Sequence, residues 1–220
     1  MNTTPSSKRR VTRWLGRLVL RNMNARHSPV TDWGLSHISV KKQFTILDIG
    51  CGGGRTVTKL AGLATEGKVY GLDYSTDSVA IAIKTNREWI KSGRVEIREG
   101  SVSQLPFAAA AFDLVVAVET HFWWPDLPGD LRELHRVLKP GGELAIIAEV
   151  YRGASIKTAR LVEKYADKTG MKLLSPDEHR DMLTNAGYSN VQITVEPNNG
   201  WIFACAKKGI EDASPFEDRR

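Results

Sequence analysis

Ile46-Leu-Asp-Ile-Gly-Cys-Gly-Gly-Gly-Arg55 sets glycines at 50, 52 and 54 directly after a short apolar run. Glycine lets a backbone turn sharply and approach a ligand with no Cβ in the way. A helix opening there points free amides at that ligand. Asp48 and Cys51 sit inside the same stretch. Asp73 ends the next apolar run, in Val69-Tyr-Gly-Leu-Asp-Tyr-Ser75. A carboxylate there accepts both hydrogen bonds of a ribose diol, a need shared by nicotinamide and adenosyl cofactors. The dinucleotide fingerprint wants glycine at position 55 and meets Arg55, which counts against a nicotinamide. A third segment, Val118-Glu-Thr-His-Phe-Trp-Trp-Pro-Asp126, offers His121 first and Glu119 second as proton acceptors. Beside them Phe122, Trp123 and Trp124 suit an apolar or aromatic substrate pocket, with His27, Trp33, His37 and Tyr151 as further groups to close over it. Plainer readings stand next to each: a ligand-free turn, a loop histidine satisfied by backbone, aromatic core filler.

The elements that must hold these residues alternate. Apolar runs at 44–49, 68–72, 95–98, 112–118 and 143–150 read as strands, the fourth apolar enough to be buried on both faces. Helical spacing covers 33–40, 56–64, 75–91, 126–138, 155–169 and 176–186. Ser75 is the N-cap and Gly93 the stop of the long third helix, and Lys139-Pro-Gly-Gly142 ends the fourth. Two last strands, 191–195 and 201–206, flank a short Glu196-Pro-Asn-Asn-Gly200 turn that suits an antiparallel hairpin. The pattern predicts an α/β fold: a Rossmann-like, seven-stranded, mostly parallel sheet with an antiparallel C-terminal hairpin and helices on both faces. Ligands of such sheets sit beyond the carboxyl ends of the strands, at the switch of strand order. The first strand ends at Gly50, so the site is expected there.

Five segments in order make a resemblance specific: Leu47-Asp-Ile-Gly-Cys-Gly-Gly-Gly54, Gly71-Leu-Asp-Tyr-Ser75, Gly100-Ser-Val-Ser-Gln-Leu-Pro-Phe107, Phe112-Asp-Leu-Val-Val116 and Arg136-Val-Leu-Lys-Pro-Gly-Gly142. Over residues 44–150 the chain resembles the class I S-adenosylmethionine-dependent methyltransferases, in the small-molecule branch similar to the ubiquinone/menaquinone enzymes. The resemblance implies S-adenosyl-L-methionine as cofactor and S-adenosyl-L-homocysteine as product. It implies that Asp48 organises the loop, that Gly50, Cys51, Gly52 and Gly54 pass the methionine part, and that Asp73 and Tyr74 border the ribose. Glu119 joins them as a contact near the methionine. Ser101 and Val102 stand where the family often has Asp-Ala, and so inherit the adenine contact with a neutral oxygen. No Asp/Asn-Pro-Pro-aromatic tetrad follows the fourth strand, which disfavours the amino-group enzymes that use it.

Composition narrows the setting. Two cysteines, Cys51 and Cys205, give no disulfide framework, and no Cys/His spacing suggests a metal. A reducing, cytoplasmic location and a monomer or homodimer are expected. No apolar run approaches the roughly 20 residues of a membrane span. The net charge of +6 is local: seven of the 31 basic residues fall before the first acid, Asp32, leaving 24 against 25 acidic. That arm carries Val11, Trp14, Leu15, Leu18 and Val19 at amphipathic spacing between its arginines. It reads as a cap over the site, as a contact to an anionic surface or nucleic acid, or as a targeting segment. The division expected is 1–40 basic arm and helical cap, 41–208 methyltransferase domain, 209–220 polar tail. A small-molecule acceptor is the expected partner, and the near-neutral body makes nucleic acid the weaker one. An RNA methyltransferase using the arm and a non-catalytic cofactor-binding regulator are the alternatives.

Overall fold

The computed structural model describes residues 28–210; His27 and the arm before it, and the tail from 211, lie outside them. Seven strands form one sheet in the order β3-β2-β1-β4-β5-β7-β6. β1 (Thr45–Ile49) lies between β2 (Lys68–Asp73) and β4 (Phe112–Val118) and is parallel to both. β3 (Val95–Glu99) and β5 (Leu138–Ala148) extend the parallel part on either side. β7 (Trp201–Lys207) runs antiparallel to β5 and to β6 (Ser189–Glu196), giving the expected hairpin.

Two apolar layers sandwich the sheet. On one face α1 (Ser28–Leu35) buries Val30 over β5 and β7, while α2 (Arg55–Leu63) and α3 (Thr76–Thr85) bury Val57, Leu60 and Ala82 over β1 and β2. On the other, α5 (Leu127–Val137) and α7 (Pro176–Asn185) bury Leu131, Leu134 and Leu183. A smaller cluster joins Phe122, Val150 and Ala154 to α6 (Lys157–Thr169) through Ala166. None of these helices is long and apolar enough to cross a membrane.

Three elements differ from the pattern in the sequence. The first helix begins at Ser28, not near 33, because Pro29 in its first turn needs no backbone partner for a missing N–H. Gly34 then lets it lie on β5, where a Cβ would stand 2.6 Å from Ile147. The long helix over 75–91 breaks at Asn86 into α3 and α4 (Arg87–Lys91). Asn86 is buried, and its amide donates to Gly54 O at 2.9 Å and Ala82 O at 3.0 Å, tying the break to the glycine turn. β5 begins at Leu138 and runs through Lys139-Pro-Gly-Gly142, where Gly141 N donates to Lys208 O and Lys208 N to Gly142 O.

Candidate active site

The glycine turn is built as its residues require. Gly50, Gly52 and Gly54 have φ of 71°, 52° and 79°, a region that strains any side chain. Gly50 N and Cys51 N both donate to Leu72 O, at 2.7 and 3.0 Å, which pins the turn to the end of β2. A Cβ on Gly50 would lie 2.6 Å from Thr120 Cγ2, so glycine there also lets the turn after β4 come close. Cys51 is buried, and burial together with Asp48 and Asp73 pushes its thiol well up, so it packs as an inert thiol.

Two carboxylates stand behind that turn. Asp73 Oδ2 accepts from Gly52 N and Oδ1 from Ser75 N, each at 2.9 Å, so one side chain fixes the glycine turn and the entry to α3. Asp48 is fully buried; burial first, and the charge of Asp73 second, push its pKa up to about 8. Its Oδ2 has no hydrogen-bond partner among the described residues. Both acids line a cavity of about 580 Å³ at the carboxyl ends of β1, β2 and β4. Gly50, Cys51, Gly52, Tyr74, Ser101, Val102, Glu119, Trp123 and Trp124 also line it. Gly54 stands one residue behind, as the left-handed N-cap of α2. On the far rim Gly100 N donates to Asp73 O at 3.0 Å, and Ser101 Oγ accepts from Ser103 N at 3.2 Å.

The wall opposite is the turn after β4. Glu119 holds φ of 58°, an uncommon conformation for a non-glycine residue and a mark of functional sites. Its Oε1 accepts from Glu149 N, and its own N–H donates to Ile147 O at 3.0 Å. Thr120 Oγ1 donates to Ile49 O at 3.3 Å and accepts from Trp124 Nε1 at 3.1 Å, binding the turn to β1. From behind, Lys172 Nζ donates to Trp124 O and Pro125 O at 2.7 and 2.8 Å.

Several expected residues are not brought to the cavity. His121 is fully buried and turned away, its Nε2 3.1 Å from Nε2 of His179. His179 Nδ1 lies 2.8 Å from Ser175 O, which only accepts, so Nδ1 carries the proton and Nε2 accepts from His121. Among the described residues His121 Nδ1 has no partner. Burial, then the neighbouring His179, hold His121 well below the usual imidazole range, and burial lowers His179 too. Phe122 packs on the His121 ring at 4.1 Å and into the cluster that Tyr151 also borders. Trp33 and His37 pack on each other at 4.8 Å and on Trp201 and Phe203, covering the sheet. His27 lies outside the described residues.

The cavity also has walls that sequence reasoning passed over. Arg55, Thr56 and Lys59 face it from the first turns of α2, and Ser28 and Thr31 from α1. Lys59 Nζ joins the two helices, donating to Ser28 Oγ at 3.2 Å and pairing with Asp32. The helical spacing of 55, 56 and 59 after the glycine turn was the available signal; that α1 lies alongside needed the fold.

Residues 47–146 match the family model described as a methyltransferase domain. The chain is similar to the O-methyltransferase cnsE of Penicillium expansum, 29% identical over 149 residues, 68% of this chain and 53% of that protein. It is similar to the methyltransferase GfsG of Streptomyces halstedii, 30% identical over 168 residues, 75% of this chain and 60% of that one. The chain thus spans between half and two thirds of the length of these relatives. Among solved structures, a chain from the complex of the Haloferax volcanii Trm112 methyltransferase activator with a methyltransferase superposes with a TM-score of 0.74. That match has 19% identity and covers 89% of this chain and 96% of that one. The matched domain, the sheet order and the glycine–carboxylate crevice agree: residues 47–146 carry a methyltransferase domain.

Proposed function

We propose that this protein transfers a methyl group from S-adenosylmethionine to an oxygen, nitrogen, sulfur or carbon nucleophile on a small molecule, leaving S-adenosylhomocysteine. One observation carries the reading: the buried carboxylate of Asp73 lines the same cavity as the glycine turn it holds by hydrogen bond. The residues present fit the cofactor. The Asp48 carboxyl in the cavity wall leaves an oxygen with no partner among the described residues, a polar group that a ligand can satisfy, and the side-chain-free turn suits close passage of a ligand backbone.

Bound there, the cofactor supplies an electrophilic sulfonium methyl. The chain's own residues then align and shield. Asp73 takes the ribose diol beside Tyr74, and Ser101 and Val102 border the adenine. Gly50, Cys51 and Gly52 follow the methionine part, with Gly54 opening α2 behind them. Trp123 and Trp124 wall the acceptor side and keep water from the line of attack. Glu119 is the carboxylate in that wall placed to take a proton when the attacking atom carries one. His121 acts on the wall rather than on the acceptor. We assign residues 41–208 to the catalytic domain, and place the chain in a reducing, cytoplasmic setting as a monomer or homodimer. Transfer of an isotope-labelled methyl group from the cofactor into a metabolite extract tests this. A labelled small molecule is expected; label only in RNA, or in nothing, overturns it.

A further inference from the structure

The acceptor wall hangs from two roots. At its front, Glu119 N donates to Ile147 O and Thr120 Oγ1 to Ile49 O, so the sheet holds its first two residues. His121 to Pro125 have less of their own to hold them. The turn His121–Trp123 is a 3-10 helix of three residues, a form with poorer hydrogen-bond geometry than an α-helix. Inside it Trp123 N donates to Thr120 O at 3.0 Å and Trp124 N to His121 O at 3.4 Å. Pro125 then brings no N–H with which to extend it.

The second root is the segment from Met171 to His179, between α6 and the first turn of α7. Lys172 meets three carbonyls of the wall. Its N–H donates to Phe122 O at 3.0 Å, and its ammonium to Trp124 O and Pro125 O at 2.7 and 2.8 Å. The latter two are charge-assisted, the stronger kind of hydrogen bond. Trp123, half-exposed in the cavity wall, lies in the chain between the gripped carbonyls of Phe122 and Trp124. His179 takes the ring of His121 at 3.1 Å and is itself oriented by Ser175 O, in the N-cap residue of α7. The segment is anchored in turn by Arg152, whose N–H donates to Leu174 O at 2.9 Å and whose guanidinium donates to Leu173 O at 2.6 Å. Neither Lys172 nor His179 lines the cavity, and the glycine turn is pinned elsewhere, to Leu72 O and Asp73. We propose that Lys172 and His179 are positioning residues for the acceptor. They hold Trp123 and Trp124 from behind, so the loop after α6 and the start of α7 set the shape of the acceptor side independently of the cofactor crevice. The effect on turnover rests on the methyl-transfer reading; the hold on the wall does not.

The full chain carrying 5-fluorotryptophan reports on the wall by fluorine NMR, with Trp123→Phe and Trp124→Phe assigning the two signals. Lys172→Met and His179→Leu should each shift or broaden at least one of them. Both variants should hold S-adenosylhomocysteine within about twofold of the wild type by calorimetry. Their transfer of labelled methyl into the small molecules of a metabolite extract should fall at least about tenfold, the cost of a misplaced aligning group. Lys172→Arg keeps donors for the two carbonyls and His179→Gln keeps an acceptor for His121, so these should restore both signals and transfer. A residue that served stability alone would lower the melting temperature and leave the folded signals in place. Unmoved signals in Lys172→Met overturn the proposal. So does S-adenosylhomocysteine affinity falling as far as transfer, or arginine and glutamine doing no better than methionine and leucine. Should His179→Leu fail to fold, Lys172→Met against Lys172→Arg, at a part-exposed site, decides. If the wild type binds S-adenosylhomocysteine yet labels no small molecule, the methyl-transfer reading falls, and the tryptophan signals decide the hold on the wall.

Discussion

Asp48 and Asp73 sit behind one glycine turn and are held in opposite ways. Asp73 is given two backbone donors, whereas Asp48 keeps an oxygen with none among the described residues. With Asp48 raised from 3.8 to about 8, the unfolded chain loses that proton across this window and the folded chain keeps it. Stability from this group is therefore greatest below the window, falls as pH rises through it, and is flat above it. Asp48→Asn should raise the melting temperature at pH 7.5 by roughly 5 °C, consistent with a gain on the order of 2 kcal/mol, and do little at pH 4. Thermal melts across pH check this; equal shifts at both ends would count against a protonated Asp48. The histidine pair has the other sign. Both imidazoles are lowered, so their stability is complete above the ordinary value of 6.5 and is lost as pH falls below it. His179→Gln, which keeps an acceptor for His121, should flatten the acid limb of the melting curve by up to one proton's slope. An unchanged limb would show that the pair is not the titrating unit. The glycines and Asp73 were legible in the sequence because backbone geometry and a strand end dictate residue type. The direction of His121 was not, since its partner lies 58 residues further along.

At the scale of elements, the site is held by helices that reach across strands. α5 grips the loop after β3: Glu133 accepts from Leu105 N, and Arg136 donates to Phe107 O at 2.9 Å while pairing with Glu133. Buried Asp130 takes Ser103 Oγ at 2.7 Å and Asp126 N at 3.1 Å, linking that loop to the acceptor wall. Arg136→Met should weaken S-adenosylhomocysteine binding by about threefold to tenfold, and lower stability by about 1–2 kcal/mol through the freed carbonyls. Calorimetry and denaturant unfolding separate the two effects; stability loss with unaltered binding would show that the loop needs no such grip. Strand periodicity, the C-terminal hairpin and the Ser75 cap of α3 followed from local pattern. The Asn86 break did not, because the side chain that ends α3 does so by bonding Gly54, in another element. The early start of α1 did not follow from apolar spacing, which begins near 33, although proline at 29 favours a first helical turn.

In the whole molecule, strand order places the crevice. β1 lies where the order turns outward to β2 and β4, so three carboxyl ends converge on one cavity. That much was readable from alternating elements and the reversed last strand. The second wall was not, because α1 meets α2 only through packing on the sheet, with Lys59 bridging them. The claim on which the rest depends is that this crevice holds an adenosyl cofactor by Asp73. It is tested most directly by titrating the full chain with S-adenosylhomocysteine and repeating the titration with Asp73→Asn. We expect one site per chain, weakened at least about tenfold in the variant, as loss of a charged acceptor implies. No binding by the wild type, or equal binding by Asp73→Asn, contradicts the account.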